Sequence, residues 1–163
     1  MLMSVKVTDE EIWRSGNVRR GGFVLLSRSR ADGTMYVLMV KKAKGALPWG
    51  FPKGGIEGDE TVLETAFREL HEETGVAREQ VVLVDQCART FAEPNELGKF
   101  TIYYCATYSG DPGQQKFAFS GDEIEEVRWV DVDSVVEFQT MMKPTRLAVL
   151  EMALEYYYSL LKS

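Results

Sequence analysis

The sequence holds only two cysteines, a single histidine and no long apolar run. Cys87 and Cys105 are too few and too far apart for a metal knuckle or a disulfide framework, and each lies in an apolar run typical of a buried thiol. No stretch approaches the roughly 20 apolar residues of a membrane span, and the N-terminus lacks the pattern of a secretory signal. We therefore expect a cytoplasmic protein with no membrane partner, and a nuclear pool stays open.

The remaining composition is that of an ordinary globular protein. With 163 residues, 45% of them hydrophobic and 27% charged, the chain is neither collagen-like nor wholly disordered. No repeat or Pro/Gly/Ser-rich linker divides it. The sequence predicts an N-terminal arm over 1–18 followed by a single domain over 19–163.

The net charge of −6 argues at first against polyanionic partners, but the charge is unevenly distributed. Residues 1–53 carry ten Lys/Arg and four Asp/Glu, whereas residues 54–79 carry eight acids and two arginines. A basic first third thus meets a short acidic segment, which leaves a polyanionic partner possible if cations neutralise the acids.

Alternating apolar patterns predict a sheet with helices on both sides. A hairpin is expected from GGFVLLS and MYVLMVK around Asp32-Gly33, and a long amphipathic helix is expected after Pro144. Thr61 to Thr74 is the clearest helix, with a capping box and a stop at Gly75. Further strands are expected at 81–88, 99–108 and 124–131, and loops at 43–59, 90–98 and 109–122.

The second face of the helix at 61–74 is strongly acidic. Glu69, Glu72 and Glu73 stand at i, i+3 and i+4, so their carboxylates project from one side and repel one another. A solvated acidic face is the ordinary explanation. The alternative is a Mg²⁺ or Mn²⁺ site, which the flexible Gly54-Gly55 backbone ahead of the helix favours.

These residues spell a known signature. The stretch from Gly54 through Glu60, Arg68-Glu69-Leu70, Glu72-Glu73 and Gly75-Val76 resembles the Nudix box G-x5-E-x7-R-E-U-x-E-E-x-G-U, where U is apolar, at every defined position. The resemblance implies an α/β/α sandwich with a mixed sheet and a metal-binding helix at 61–74. It also implies hydrolysis of a diphosphate linkage in a nucleoside diphosphate derivative.

The resemblance further implies roles for individual residues. Glu69, Glu72, Glu73 and the Gly54 carbonyl are the expected ligands of two or more Mg²⁺ or Mn²⁺ ions. Glu72, Glu69 and Arg68 are the expected catalytic group, with Glu72 or an acid from a later loop as the base and Arg68 orienting a glutamate. His71 falls at an undefined position of the box, where a solvent-facing side chain is expected.

Flanking residues bear on the substrate. Lys41, Lys42, Lys44 and Lys53 precede the metal helix and are either a solubilising loop end or a site for several phosphates. Gly54, Gly55 and Tyr103 complete the expected substrate-binding set, although most strand aromatics are core residues. Tyr103 and Tyr104 face opposite sides of a strand, so at most one could stack on a base.

The segment Trp49-Gly-Phe-Pro-Lys-Gly-Gly is similar to Nudix enzymes that act on diadenosine polyphosphates and diphosphoinositol polyphosphates, and also to decapping enzymes. We expect a small polyphosphate substrate of the first two kinds. Hydrolysis of an mRNA cap or of damaged nucleoside triphosphates is an alternative. A non-catalytic nucleotide-binding module is a third reading, although no box carboxylate is missing. The sequence leaves the oligomeric state open.

Overall fold

The computed structural model describes residues 9–85 and 89–162, and its middle layer is a mixed β-sheet. The strands are β1 Val18–Arg28, β2 Met35–Lys42, β3 Trp49–Gly50, β4 Lys53–Gly55, β5 Val81–Leu83, β6 Thr90–Pro94, β7 Phe100–Tyr108 and β8 Ile124–Asp131. The helices are α1 Asp9–Arg14, α2 Val62–Thr74 and α3 Pro144–Leu161, with 3₁₀ turns at 78–80, 112–114 and 132–138.

The sheet runs in the order β3-β2-β1-β7-β5, with β4 beside β1, β6 beside β7 and β8 beside β2. Strands β1 and β7 are parallel, and the other strand pairs are antiparallel. As in any β-strand, successive side chains of β1 point to opposite faces of the sheet. Phe23 and Leu25 pack with α2, whereas Val24 and Leu26 pack in the cluster that includes α3. The expected α/β/α sandwich is confirmed.

Two adjacent glycines of β1 let the layers approach closely. A Cβ atom at Gly21 would lie 2.5 Å from the Val62 carbonyl oxygen, in the first turn of α2. A Cβ atom at Gly22 would lie 2.5 Å from the Pro52 carbonyl oxygen. The start of α2 and the segment before β4 therefore rest directly on the backbone of β1, which fixes both parts of the candidate site.

Helix α2 begins and ends where the sequence predicts. Thr61 Oγ1 accepts a hydrogen bond from the Glu64 N–H at 3.1 Å, and the Glu64 carboxylate accepts one from the Thr61 N–H at 2.8 Å. Gly75 adopts a left-handed φ of 82°, and its N–H donates to the His71 carbonyl oxygen at 2.8 Å. The capping box and the glycine stop are both confirmed.

Some boundaries differ from expectation. The loop expected at 90–98 contains β6, because residues 90–94 pair with β7, and the loop expected at 43–59 contains the short strands β3 and β4. Of the strand expected at 81–88, residues 81–83 form β5, and Cys87 lies outside the described residues.

The first and last helices, α1 and α3, are each packed against the sheet over part of their length. Within the expected N-terminal arm, Ile12 on α1 is buried against the α2 side of the sheet. Helix α3 buries Val149, Leu150 and Ala153, but Leu161 is exposed, so its apolar stripe stops short of the end. None of the helices in the described ranges is long and apolar enough to cross a membrane.

Candidate active site

Arg68 sits among the carboxylates of the box. Its guanidinium donates to Glu60 at 2.8 Å, to Glu69 at 2.9 Å and to Glu72 at 3.3 Å, and it also donates to the Gly55 carbonyl oxygen at 2.9 Å. These bonds raise the pKa of Arg68, and they hold the pKa of Glu60 at about 2. Arg68 therefore remains charged, and it is hydrogen-bonded to two glutamates of α2, Glu69 and Glu72.

The Glu73 carboxylate is buried and hydrogen-bonded to the backbone of β4. It is 6% exposed, and its Oε1 accepts a hydrogen bond from the Lys53 backbone N–H at 2.9 Å, across 20 residues of sequence. Burial raises the pKa of the Glu73 carboxyl, and the Lys53 N–H and ammonium group oppose that rise. The Lys53 side chain is itself buried, which lowers its pKa well below the ordinary value, and the nearby Arg146 and Lys42 lower it further.

Glu69 packs against the backbone of β4. A Cβ atom at Gly54 would overlap all three atoms of the Glu69 carboxyl group, so only glycine leaves room for this carboxylate. Burial raises the pKa of Glu69, and the neighbouring carboxylates Glu72 and Glu123 add to the rise against the opposing effect of Arg68. Two partly desolvated carboxylates thus stand side by side on α2.

These groups open into a cleft of about 370 Å³ between α2, β4 and the ends of β2 and β8. Half of its charged lining residues are cationic and half are anionic. The cations are Arg20, Lys42, Lys44 and Lys53, the anions are Glu69, Glu73, Asp122 and Glu123, and the other lining residues are Ala43, Gly54, Gly55 and Ile124.

The cleft collects most of the expected substrate-binding residues but not all of them. Lys42, Lys44, Gly54 and Gly55 line it, and Lys53 lines it as a buried residue rather than as an exposed phosphate ligand. Lys41 does not line it, and its ammonium group pairs with Glu125 at 2.6 Å.

Tyr103 requires a correction. Its side chain is fully buried, its ring packs edge-on against Phe51, and its hydroxyl donates to Glu93 at 3.1 Å. The ring therefore has no free face to stack on a ligand. Tyr104 does lie on the opposite face, as alternation predicts, but that face is also covered, so Tyr104 is buried too.

Glu72 and His71 occupy the exposed side of α2. The Glu72 side chain is 54% exposed and contacts Arg68, and it is not among the described residues that line the cleft. His71 is exposed, as expected.

Within residues 9–85 and 89–162, no three Asp, Glu, His or Cys side chains already converge on one point that could hold a cation. Arg68 binds oxygens of both Glu69 and Glu72. The donors nevertheless suit a hard divalent cation. Glu69 and Glu73 offer carboxylate oxygens to the cleft, and because burial raises the pKa of both carboxyls, a cation bound beside them would favour their ionised form.

Sequence reasoning allowed for an acid from a later loop but did not identify the acidic pair Asp122 and Glu123. The loop that carries them is tied down at two points, since the Ala118 N–H donates to the Thr74 carbonyl oxygen at 3.1 Å and the Ala43 N–H donates to the Glu123 carbonyl oxygen at 2.9 Å. These bonds bring the acids opposite Glu69. The available signal was a polar turn, Ser120-Gly-Asp-Glu123, directly before β8.

Comparisons with known proteins identify the family and the fold. Residues 18–151 match the family model described as NUDIX domain. The RNA pyrophosphohydrolase of Xanthomonas oryzae pv. oryzae (strain MAFF 311018) is 30% identical over 135 residues, covering 75% of this chain and 63% of the relative. The chain thus spans less than two thirds of that relative's length. The relatives of this name are bacterial, which gives no support to a nuclear pool.

Two solved structures share the fold. An Ap4A hydrolase of C. elegans, in a binary complex, superposes with a TM-score of 0.72 at 18% identity, covering 86% of this chain and 99% of that one. The NUDIX domain of Shewanella oneidensis NrtR, complexed with ADP ribose, gives a TM-score of 0.65 at 20% identity, covering 92% and 99%. With the family match over 18–151 and the complete signature on β4 and α2, the chain belongs to the Nudix family.

Proposed function

We propose that this chain is a divalent-cation-dependent hydrolase that cleaves a diphosphate linkage in a small polyphosphate substrate. The observation that carries the proposal is the cleft, which places the carboxylates Glu69 and Glu73 beside the exposed cations Arg20, Lys42 and Lys44. Carboxylates that bind cations and lysines that bind phosphate oxygens are what a polyphosphate with bound divalent ions requires.

Each part of the cleft has a defined task in this proposal. Glu69 and Glu73, with Glu72, would hold Mg²⁺ or Mn²⁺, which neutralises phosphate charge and activates a water when bound. The Lys53 N–H and the packing against Gly54 fix the carboxylates before the substrate arrives. Lys42, Lys44 and Arg20 bind and orient the phosphates that the cations leave uncovered.

The proton acceptor is an acid at this site, and two residues compete for the role. Glu72 is the first choice from the signature, whereas Glu123 lines the cleft and acts on the pKa of Glu69. Glu72→Gln and Glu123→Gln separate them, because loss of the base lowers kcat and removes the acidic limb of the kcat profile with pH. A variant that keeps this limb does not lack the base.

Dinucleoside polyphosphates and diphosphoinositol polyphosphates are the proposed substrates. No aromatic side chain is among the described residues that line the cleft. Recognition there depends on phosphates and cations rather than on stacking of a base, which suits long phosphate chains that carry different end groups.

A polyphosphate at the 5′ end of RNA is the second candidate. It is favoured by the curated relatives at about 30% identity, which are named RNA pyrophosphohydrolases. An RNA end presents the same chemistry to the cleft as a free polyphosphate, and the rest of the RNA would lie outside it.

A panel of substrates tests the proposal. The purified chain is incubated with Mg²⁺ and diadenosine tetra-, penta- or hexaphosphate, a diphosphoinositol polyphosphate, 5′-triphosphorylated RNA, capped RNA or oxidised dGTP. Products are resolved by ion-exchange chromatography, and Glu69→Gln serves as the inactive control. We expect the first two classes to be cleaved, and cleavage of triphosphorylated RNA alone would select the second candidate. Binding without any cleavage would support the non-catalytic module and refute the proposal.

A further inference from the structure

A buried polar cluster lies on the α3 side of the sheet, and Glu93 on β6 is at its centre. The Glu93 carboxylate is 5% exposed and accepts hydrogen bonds from the Tyr103 hydroxyl at 3.1 Å and the Thr145 hydroxyl at 2.7 Å. Arg146, also 5% exposed, pairs with it at 3.3 Å. Residues from β6, β7 and the first turn of α3 are thereby joined in the core.

This cluster holds the chain segment that leads into the candidate active site. Arg146 Nη1 donates to the Trp49 carbonyl oxygen at 3.2 Å, and a Cβ atom at Gly50 would lie 2.9 Å from the same nitrogen. The ring of Phe51 packs edge-on against Tyr103, with ring centres 5.7 Å apart. Residues 49–51 are therefore fixed through their backbone by Arg146 and through a side chain by Tyr103.

The same segment contacts both desolvated carboxylates a few residues later. The Lys53 N–H donates to Glu73 at 2.9 Å, and Gly54 packs against the carboxyl group of Glu69. A displacement at Trp49 is thus passed along five residues of backbone to the two groups that would bind the cation.

We propose that Glu93, Tyr103 and Arg146 form a positioning clamp that acts through residues 49–54 to hold Glu69 and Glu73 in place for a divalent cation. None of the three is among the described residues that line the cleft. The proposal rests on the proposed function. A buried ion pair contributes little net stability compared with apolar residues of the same volume, so a stability role alone does not account for the clamp.

The test compares Arg146→Lys with Val149→Ala. Lysine keeps the charge but lacks the planar fork that reaches both Glu93 and the Trp49 carbonyl. Val149, fully buried on the same helix and in the same core, is a matched control for lost stability. Mn²⁺ alone is titrated at 20 °C and free Mn²⁺ is followed by EPR, with folding checked by circular dichroism and kcat measured in parallel.

We expect Arg146→Lys to bind Mn²⁺ about tenfold more weakly than the wild type and to lose kcat by a similar factor, as for other residues that orient metal ligands. Val149→Ala should lower Tm while leaving Mn²⁺ affinity within about twofold, since it opens a cavity in the core but removes no hydrogen bond or ion pair of the clamp.

Equal Mn²⁺ affinity in the two variants, at comparable Tm, would overturn the clamp. If Arg146→Lys does not fold, Tyr103→Phe decides instead, because it removes one hydrogen bond and keeps the ion pair. We expect about threefold weaker Mn²⁺ binding for it, and unchanged binding would overturn the proposal. If the wild type binds Mn²⁺ but cleaves no substrate of the panel, the proposed function fails while the Mn²⁺ titration still decides the clamp.

Discussion

Replacing Gly54 by alanine adds one methyl group at the most crowded point of the site. All three atoms of the Glu69 carboxyl group would lie under 3.0 Å from the new Cβ, a separation that real Cβ atoms essentially never show. The backbone of Gly54 is not in the left-handed region, so alanine is compatible with its conformation. The carboxylate must therefore withdraw, by about 1 Å, and a misplacement of that size costs on the order of 10²-fold in rate.

The effect on stability should be far smaller. Turning Glu69 away from its rotamer destabilises the folded state by about 0.5–1.5 kcal/mol. Alanine offsets this by about 0.4–1 kcal/mol, because it lowers the conformational entropy of the unfolded chain. The free energy of unfolding should change by less than about 1 kcal/mol. Gly54→Ala is thus expected to fold with a nearly unchanged Tm and to lose about 99% of its kcat.

Gly113→Ala is the matched control, since a Cβ there meets only the Asp111 carboxylate at an ordinary 3.9 Å and the residue lies outside the cleft. Turnover of the best substrate of the panel and thermal unfolding are measured for both variants. The double variant Glu69→Asp/Gly54→Ala supplies a second check. The aspartate side chain is shorter by about 1.5 Å, so its carboxylate no longer meets the new Cβ. Adding Gly54→Ala to Glu69→Asp should therefore leave kcat nearly unchanged. A Gly54→Ala enzyme with kcat within about threefold of the wild type would refute the steric reasoning.

Three further predictions concern the carboxylates and the buried thiol. Glu73→Gln and Glu72→Gln should each lower kcat at least ~10²-fold without loss of fold, and near wild-type turnover of both would sink the assignment of the metal helix. Glu60 has its pKa lowered by the guanidinium from 4.5 to about 2, so its contribution to stability is complete above pH 4.5 and is lost as the pH falls towards 2. Denaturant titrations between pH 2 and 6 should therefore show that the free energy of unfolding falls less steeply with decreasing pH in Glu60→Gln than in the wild type. An equally steep fall in both proteins would contradict this. Burial raises the pKa of Cys105 to about 12, so in a Cys87→Ser background a thiol reagent at pH 8 should label it only after unfolding, and prompt labelling of the folded chain would disprove the burial.

Helix α2 was predictable because its determinants are local. The capping box at Thr61 and Glu64 and the stop at Gly75 all lie within the helix or one residue beyond it, and the structure reproduces each of them. The i, i+3 and i+4 spacing predicted one acidic face on this helix, but only Glu69 and Glu73 line the cleft, whereas Glu72 does not.

The features that were missed depend on partners distant in sequence. Strand β6 contains Glu93 and Pro94 and was expected to be a loop, but its acid is buried against Arg146, 53 residues away. Lys53 was expected to bind phosphate because it lies in a group of lysines ahead of α2. In the structure its side chain is buried near Glu73 of α2 and Arg146 of α3. Tyr103 and Tyr104 were correctly expected on opposite faces of the strand, but Tyr103 was wrongly expected to bind substrate, because alternation does not reveal that both faces of the sheet are covered.

The two glycines of β1 have a consequence for how the site withstands evolutionary change. Neither position has room for a side chain, because a Cβ atom at Gly21 or Gly22 would lie 2.5 Å from the carbonyl oxygen of Val62 or Pro52, respectively. Apolar residues elsewhere in either core can change in size and so alter stability. The close backbone contacts at the two glycines keep α2 and the segment before β4 at the same distance from β1. A substitution at Gly21 or Gly22 should thus displace the candidate site, although neither residue contributes a side chain to it.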